Sequence, residues 1–535
     1  MITGEVKNKL DRLWDAMWSN QMTNPWIDIQ QITYLIFIKM LDDNQIRQEK
    51  KINDLIARGR TATLKDPIFK EGNYVDEDNN INVPYKDLRW STFKDFTDPR
   101  KMYDNLKNNV FPFIKSLNSG KATAFAQFMK NAQFEVANPY ILDKMVSALS
   151  DEELGFNKKD LMGDCYEYLL SKMATSGDNG QFRTPRHIID MMVELAKPTL
   201  NDTIIDPAMG TAGFLAESAK FIQEHYEKEL MGKENNDHFH NSMFTGFDTD
   251  TDMLRIGCMN MTLHSVDNPS IKYNNSLSED YDEVDKYSLI LANPPFSGSL
   301  EPSTVAKSLN QICGGTKKTE LLFLSLFLRI LKIGGRCISI IPVGVLNNTN
   351  DKAYNVLRRK LVEEQKLEGV IYMPGGIFEP YSGVQTGILI FTKTNSGGTD
   401  KVWMYNMEAD GYSLDKKRNE IKDNDIPDII KRFHNLKEEE NRERTEKSFL
   451  VSKEEIVKNE YVLSFNKYQK KIIEKKIYRP SKEIIDSVLN SDIEFIDLFS
   501  QISNKSKVQV ILNIIDALSN DEKKEIINNI NKKSE

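Results

Sequence analysis

Short apolar runs alternate with helical stretches between about residue 180 and residue 410 of this chain. The runs read TIIDPAM, SMFTGFD, SLILANPP, RCISIIPVGVL, LEGVIYMP, GILIFTK and KVWMYNM. Strands that alternate with helices predict an α/β fold, in which a doubly wound, mostly parallel sheet carries helices on both faces. Ligands bind such Rossmann-like sheets at the carboxyl ends of the strands, so the chemistry is expected just after each run.

The segments that flank this sheet have helical rather than alternating patterns. Residues 1–150 are interpreted as a helical N-terminal domain, in which apolar residues such as Leu10 and Trp14 recur at helical spacing. Residues 151–410 are expected to form the α/β domain. Residues 411–535 are expected to form a charged, helical C-terminal region that docks onto a partner.

The charge balance argues against a surface that grips nucleic acid over its whole extent. The chain has 535 residues and carries 71 Lys and Arg against 79 Asp and Glu, a formal net charge of −8 with a pI near 5.6. A domain that binds nucleic acid by general electrostatic attraction is usually basic. A local basic cleft, or a partner subunit that supplies positive charge, stays compatible with this composition.

Four cysteines stand far apart without a CxxC pair, namely Cys165, Cys258, Cys313 and Cys337. This spacing predicts neither a disulfide framework nor a zinc site, and it fits a reducing cytoplasm. The first residues lack a signal-peptide pattern, and the apolar run 32–41 is about half as long as a membrane helix. A cytoplasmic protein without a membrane segment is therefore expected.

A candidate ligand loop follows the first predicted strand, in IIDPAMGTAGFLAESAKFI. Asp206 ends the strand, and Gly210 and Gly213 precede a helix. Glycines let a ligand approach the backbone, and a helix start offers unpaired N–H groups. The loop is neither GxGxxG nor a P-loop with its lysine, so an ordinary strand-to-helix turn explains it equally well.

Two neighbouring segments offer further ligand contacts. Asp248 directly follows the next apolar run, where an acid of a nucleotide-binding unit accepts hydrogen bonds from ribose hydroxyls. Upstream, the pattern predicts Thr184 as an N-cap and Pro185 in the first helical turn. That helix start could hold a ligand carboxylate, although an ordinary capped helix is the alternative.

The tetrapeptide Asn293-Pro294-Pro295-Phe296 ends the strand SLILA. An aryl amine is a poor nucleophile, and two acceptors aimed at its N–H groups help to localise the nitrogen lone pair. The Asn293 side-chain oxygen and the Pro294 carbonyl are suited to that task, because the prolines hold the loop rigid. Phe296 can stack on a flat, extruded base. The alternative is a proline-terminated strand with Phe296 in the core.

The order GQFRTP, DPAMGTAGFL, GFD and NPPF resembles the S-adenosylmethionine-dependent methyltransferases that modify the exocyclic amine (N6) of adenine in DNA. More closely, it resembles the modification (M) subunit of type I restriction-modification systems, over roughly residues 5 to 470. The resemblance implies a class I methyltransferase fold and methyl transfer from S-adenosylmethionine to adenine. It also implies these partners: DNA, a specificity (S) subunit that reads the sequence, a second M subunit and a restriction (R) subunit.

The resemblance also assigns roles by position. The implied cofactor-binding residues are Gln181, Phe182, Arg183, Thr184, Pro185, Asp206, Ala208, Gly210, Thr211, Ala212, Gly213, Asp248 and Asn275. The implied catalytic residues are Asn293, Pro294, Pro295 and Phe296. Phe296 would stack the base together with either Phe378 or Tyr381. Two residues depart from the family pattern: Arg183 replaces an aromatic, and Asn275 replaces an aspartate that faces the cofactor's adenine.

No metal is expected, because a sulfonium carries its own leaving group and the reaction needs alignment and polarisation. His238 and His240 are close in sequence, but they lack further candidate ligands. The basic run 358–360 is interpreted as a solvated helix face. Two alternatives stay open: methylation of another planar amine, in ribosomal RNA guanine or protein glutamine, and an inactive scaffold in phage defence.

Overall fold

The computed structural model describes residues 4–18, 25–64, 67–117, 129, 132–150, 159–176, 184–379, 382–470 and 506–534. The chain divides into two compact units, Met1–Lys470 and Lys471–Glu535. The predicted site residues Gln181, Phe182, Arg183 and Tyr381 lie outside the described residues.

The first part of the larger unit is mostly helical. Its helices are α1 (Gly4–Trp18), α2 (Pro25–Ala57), α3 (Trp90–Phe93), α4 (Pro99–Asn105), α5 (Phe111–Ser116), α6 (Pro139–Leu149) and α7 (Lys159–Ser176). A 3₁₀ turn spans Tyr85–Leu88, and a π-helical turn, Leu106–Val110, joins α4 to α5. The polar segment between α2 and α3 forms an antiparallel hairpin of β1 (Asn73–Asp76) and β2 (Ile81–Pro84).

A nine-stranded sheet forms the centre of the larger unit. Its strands are β3 (Ile204–Asp206), β4 (Phe244–Asp248), β5 (Ser270–Tyr273), β6 (Tyr287–Ala292), β7 (Leu331–Pro342), β8 (Lys366–Tyr372), β9 (Thr386–Thr392), β10 (Lys401–Asn406) and β13 (Ser448–Ser452). Their spatial order is β13-β10-β8-β9-β7-β6-β3-β4-β5. Strands β3 to β7 pair in parallel, as do β8 and β10, whereas β9 and β13 run antiparallel to their neighbours. The predicted doubly wound, mostly parallel sheet is confirmed.

Helices cover both faces of this sheet. They are α8 (Arg186–Ala196), α9 (Gly213–His225), α10 (Lys233–Asn241), α11 (Thr251–Leu263), α12 (Lys307–Cys313), α13 (Thr319–Ile330), α14 (Val343–Asn347) and α15 (Lys352–Glu363), with 3₁₀ turns at Glu229–Met231 and Pro302–Thr304. Side chains alternate along the strands between two cores: Ile204 faces the core shared with the N-terminal helices, and Ile205 faces the other.

The chain after β10 adds smaller elements. They are β11 (Asp410–Tyr412), β12 (Glu420–Asn424), α16 (Ile426–Phe433), a 3₁₀ turn (Leu436–Asn441), α17 (Lys453–Lys458) and α18 (Phe465–Tyr468). The described part of the second unit consists of α19 (Lys507–Ala517) and α20 (Asn520–Ser534). Among the described helices, none has both the length and the apolar character required to cross a bilayer.

Two details differ from expectation. The region after residue 410 was expected to be helical, but β13 lies in it and extends the central sheet by pairing with β10. Arg358 was expected on a solvated helix face, yet it is only 1% exposed. Its guanidinium donates to the carbonyl oxygens of Val345 and Asn348 at 2.9 Å each, so it supports the turn after β7.

The topology places a crevice beside β3. Because β4 and β5 lie on one side of β3 and β6 lies on the other, the strand order reverses there. Ligands bind open α/β sheets outside the carboxyl ends of the strands at such a reversal. The ends of β3, β4 and β6 carry Asp206, Asp248 and Asn293, respectively.

Candidate active site

The loop after β3 makes a tight turn into α9. Asp206 is buried, and its Oδ1 accepts a hydrogen bond from the N–H of Ala208 at 3.0 Å. Gly210 and Ala212 both adopt left-handed conformations, with φ of +51° and +60°. A Cβ on Gly210 would meet no atom within 4 Å, so the outer side of this turn is open to a ligand. Helix α9 then begins at Gly213.

Asp248, at the end of β4, ties this loop to the next strand. Its Oδ2 accepts from the N–H of Gly210 at 3.0 Å, and its Oδ1 accepts from the N–H of Asp250 at 2.9 Å. Asp250 instead caps α11, and Asp252 contacts Gln30 and therefore faces the N-terminal helices. Of the three neighbouring acids, Asp248 is the one that lies at the crevice.

Burial changes the acidity of the two carboxyl groups at this edge. It raises the pKa of Asp206 to about 8, and the nearby charge of Asp248 acts in the same direction. Burial also raises the pKa of Asp248, although backbone N–H groups from Asp250 and Gly210 oppose that shift. A cationic ligand near these two acids would therefore lower their pKa values and favour the ionised carboxylates.

Helix α11 packs against the loop between β3 and α9, a contact that the sequence did not predict. A Cβ on Gly257 would lie 2.8 Å from Met209 Cε and 3.2 Å from Ala212 Cβ. One turn later, Asn260 Nδ2 donates to the carbonyl of Thr211 at 2.9 Å and to Glu167 Oε1 at 2.6 Å. Asn260 is fully buried, and a buried amide needs partners. The sequence signal that could have marked it is a lone Asn among apolar residues of the helix.

The segment after β5 also reaches the loop. Ser276 Oγ donates to the carbonyl of Pro207 at 2.6 Å, and Asn274 N–H donates to the carbonyl of Asp248 at 3.0 Å. Asn275 lies between them and is exposed, with its Oδ1 accepting from the N–H of Leu277 at 3.2 Å. The structure thus brings the implied adenine-facing residue to the same edge as Asp248.

The tetrapeptide after β6 contacts the start of α8. Asn293 Nδ2 donates to Thr184 Oγ1 at 2.9 Å. The expectation that Thr184 caps α8 is wrong: the helix begins at Arg186, and Pro185 precedes it without a side-chain cap. The Thr184 hydroxyl binds Asn293 instead, which joins the segment before α8 to the tetrapeptide.

The other half of the Asn293 amide is unsatisfied. Among the described residues, no donor lies within hydrogen-bond reach of its Oδ1, although this oxygen is buried. A buried acceptor without a partner costs roughly 1–3 kcal/mol, so such atoms call for an explanation. Because Thr184 holds the amide nitrogen, the oxygen is the atom presented to a donor that arrives with a ligand.

Aromatic side chains flank the same loop. The rings of Phe296 and Phe378 meet edge to face, with centroids 5.3 Å apart at 73°. Phe378 is buried, Phe296 is partly exposed, and Pro294 is buried while Pro295 is exposed. The structure therefore brings Phe378 to the tetrapeptide, as support for the Phe296 ring.

His238, one of the two histidines considered as metal ligands, contacts other groups. His238 Nε2 lies 2.8 Å from the carbonyl of Asp202, and its Nδ1 lies 2.7 Å from Ser242 Oγ. Within the described ranges, no group of His, Cys, Asp and Glu side chains has an arrangement that could hold a metal ion. The four cysteines are separate, buried thiols.

Comparison with known families identifies the chain. The family described as N-6 DNA Methylase matches residues 157–476, and the HsdM N-terminal domain matches residues 6–149. The chain belongs to the N-6 DNA methylase family. It is an adenine-specific DNA methyltransferase, and the resemblance inferred from its motifs is confirmed.

Individual relatives agree with this assignment. The methylase is 27% identical over 339 residues to the Type I restriction enzyme EcoEI methylase subunit of Escherichia coli, which covers 62% of this chain and 67% of the relative. The type I restriction-modification methyltransferase subunit of Streptococcus thermophilus superposes with a TM-score of 0.63 at 20% identity, covering 87% of this chain and all of that one. A chain from a study of complex assembly in the type I R-M system gives a TM-score of 0.64 at 21% identity, covering 94% and 98%. The structural matches show that the fold is shared.

Proposed function

We propose that this methylase is the modification subunit of a type I restriction-modification system and that it transfers a methyl group from S-adenosylmethionine to the N6 amine of adenine in DNA. The observation that carries the proposal is the buried Oδ1 of Asn293, which has no hydrogen-bond partner in the part of the chain that the structure describes. It lies on a proline-rigid loop, at the sheet edge that also holds Asp206 and Asp248. Methylase subunits of type I restriction enzymes among its relatives support the same assignment.

The residues at the crevice fit S-adenosylmethionine, which supplies a methyl group activated by a positively charged sulfur when it is bound. The open turn at Gly210 and the start of α9 leave room for the cofactor beside the backbone. Asp248 retains acceptor capacity for ribose hydroxyls, because a carboxylate has about four lone-pair sites and two are used by backbone N–H groups. Thr184 and Pro185 would lie near the methionine end, and Asn275 near the cofactor's adenine.

The target side of the crevice, which is the tetrapeptide that would hold the adenine, acts through hydrogen-bond acceptors. Asn293 Oδ1 and the carbonyl of Pro294 would accept both hydrogens of the adenine amine, which localises the nitrogen lone pair as the nitrogen becomes tetrahedral. The acceptors are preorganised, because Thr184 fixes the Asn293 amide and the prolines fix the backbone. Phe296 would stack on the extruded base, with Phe378 behind it.

The partners follow from the assignment. A chain with a net charge of −8 would depend on a specificity subunit to read base edges in DNA. The proposed assembly contains two copies of this methylase, one specificity subunit and a restriction subunit for cleavage. Residues 411–535, which include α19 and α20, would contribute to subunit docking, and the cytoplasm would be the site of action.

Tritiated methyl transfer tests the function directly. The methylase and its specificity subunit, purified together, should label double-stranded DNA, and the modified base should be N6-methyladenine. Either subunit alone should label the same DNA far less. Labelling of ribosomal RNA or protein in place of DNA would overturn the proposal. It would also be overturned if DNA, ribosomal RNA and protein all stayed unlabelled.

A further inference from the structure

We propose that Asp410 is a positioning residue for methyl transfer, because it holds a hairpin that sets the spacing between the two sides of the target-base pocket. The clamp hairpin comprises β11, β12 and the loop between them, residues 410–424. The inference rests on the proposed function and concerns residues to which neither the motifs nor the family resemblance assigns a role.

One end of the clamp hairpin grips the start of α8. The Asp410 carboxylate is fully buried and accepts from His187 Nε2 at 2.8 Å, and it also pairs with the guanidinium of Arg418. The Tyr412 ring stacks on the His187 ring, with centroids 4.6 Å apart at 27°. His187 is therefore held by both a carboxylate and an aromatic face of the hairpin.

His187 is close to the chemistry through its neighbours in the chain. It lies three residues after Thr184, whose hydroxyl holds the Asn293 amide. The short segment from Thr184 to His187 has little freedom to adjust, since Pro185 has a fixed φ and α8 begins immediately after it. A shift of His187 would be transmitted to the hydroxyl that orients Asn293.

The other end of the clamp hairpin touches the loop that carries Phe378. Gly376 has a φ of +96°, and a Cβ at this position would overlap the carbonyl of Leu414 in the hairpin. This contact therefore involves backbone on both sides. Gly376 lies two residues before Phe378, whose ring packs against Phe296.

Both contacts lead to the tetrapeptide. Thr184 contacts Asn293, Phe378 contacts Phe296, and the clamp hairpin touches the segments that carry these two residues. The Asp425 carboxylate anchors the base of the hairpin by accepting from the N–H of Glu408 at 2.7 Å and that of Ala409 at 3.2 Å. The hairpin acts as a brace across the pocket, and all five residues of β12 are exposed.

The electrostatics agree with a fixed brace. Burial alone would raise the pKa of Asp410, but the hydrogen bond and charge of His187 and the charge of Arg418 hold it below its usual value. A carboxyl group that loses its charge there would leave the Arg418 guanidinium without its counter-charge and weaken the hydrogen bond from His187. Because breaking one member of a buried ionic group destabilises the remainder, the hairpin should loosen from α8.

The test uses the methylase with its specificity subunit and three variants. Asp410→Asn removes the charge at the α8 end, Gly376→Ala inserts a methyl group at the other end, and Glu420→Gln removes an exposed charge from the same hairpin as the control. Single-turnover methyl transfer at saturating S-adenosylmethionine and DNA is measured together with cofactor affinity by calorimetry and with the melting temperature. Displacement of a positioning contact by about 1 Å costs on the order of 100-fold in rate.

We expect Asp410→Asn and Gly376→Ala each to slow single-turnover transfer roughly 10- to 100-fold, with cofactor affinity within about threefold of wild type and Glu420→Gln unchanged. The inference would be overturned if Asp410→Asn and Gly376→Ala both transferred methyl groups at the wild-type rate below their melting temperatures. It would also be overturned if saturating cofactor restored the wild-type rate in both. If Asp410→Asn does not fold, the rate of Gly376→Ala decides. An inactive wild-type complex would instead overturn the proposed function, and the inference with it.

Discussion

The two sides of the crevice differ in which of their groups the polar side chains hold. On the cofactor side, Asp206 and Asp248 accept backbone N–H groups of the loop, and Asn260 donates to the loop carbonyl of Thr211. On the target side, the Nδ2 of Asn293 is paired with Thr184, and its Oδ1 has no partner among the described residues. The Oδ1 of Asn260 also lacks a partner among the described residues, but side chains already hold the backbone of the loop, whereas on the target side the tetrapeptide itself presents the acceptor.

This difference matches two different tasks. A binding surface gains from preorganisation, since a loop that is already held in place loses little conformational entropy when the ligand arrives. A catalytic acceptor must instead interact more strongly with the transition state than with the substrate. In the proposed reaction, the interaction of the Asn293 Oδ1 with the amine becomes strongest as positive charge develops on the nitrogen.

Asn293→Ala should have the largest effect, because it removes the acceptor and leaves the loop in place. Losing one preorganised group of this kind costs about 10²–10³ in rate. Cofactor affinity should stay within several-fold, since the cofactor loop has its own support. Single-turnover methylation and calorimetry measure the two quantities.

Asn241→Ala is the matched control. Asn241 lies on the surface at the end of α10, just before the amino end of β4, whereas the crevice lies at the carboxyl ends of the strands. It should methylate DNA like wild type. Near-normal turnover in Asn293→Ala would contradict the proposed role of Asn293 as an acceptor for the amine.

Asp248→Ala should have the reverse profile, with weakened cofactor binding and a nearly normal rate at saturation. A hydrogen bond to a charged group contributes about 1.5–3 kcal/mol, so the Kd for S-adenosylmethionine should rise roughly 10- to 100-fold. Asp250→Ala is the control, because Asp250 caps α11 and its loss should cost about 1 kcal/mol of stability with little change in Kd. Equal Kd values for the two variants would contradict the assignment of Asp248.

The residues involved show what the sequence could and could not predict. Alternating apolar runs identify strands because the pattern is local, and the polar residues that follow them mark the sheet edge. Pairings between distant parts of the chain leave no such pattern: Asn260 meets Glu167 across 93 positions, and His187 meets Asp410 across 223. Thr184 was misassigned as a cap for the same reason, since its partner Asn293 lies 109 positions away.

Gly257→Ala tests whether the support beneath the cofactor loop matters for binding. The added methyl group would displace the end of the Met209 side chain, and Ala212 in the loop would have to move by a few tenths of an ångström. We expect a Kd for S-adenosylmethionine about three- to tenfold higher and a stability loss of about 1–3 kcal/mol, as for other overpacked sites. Gly4→Ala, where a Cβ meets no neighbour, is the control. An unchanged Kd despite lower stability would show that the loop tolerates movement.

The smallest expected effect is the release of a proton when the cofactor binds. Burial raises the pKa of Asp206 to about 8, so this carboxyl is largely protonated in the ligand-free protein near pH 7. A cationic ligand favours the ionised form and lowers that pKa, so binding between about pH 6 and pH 8 should release up to one proton. Affinity should therefore increase as the pH rises through this window.

Calorimetry in two buffers with different ionisation enthalpies measures the released proton, and Asp206→Asn should abolish it. The sign for folding is the opposite of that for binding. Because the folded-state pKa of Asp206 lies above its unfolded value, its contribution to stability is fully present below about pH 4 and is lost as the pH rises through about 8. The ligand-free methylase should thus gain stability at high pH when Asp206 becomes Asn. Proton uptake on cofactor binding would show that the cofactor's positive charge does not act on Asp206.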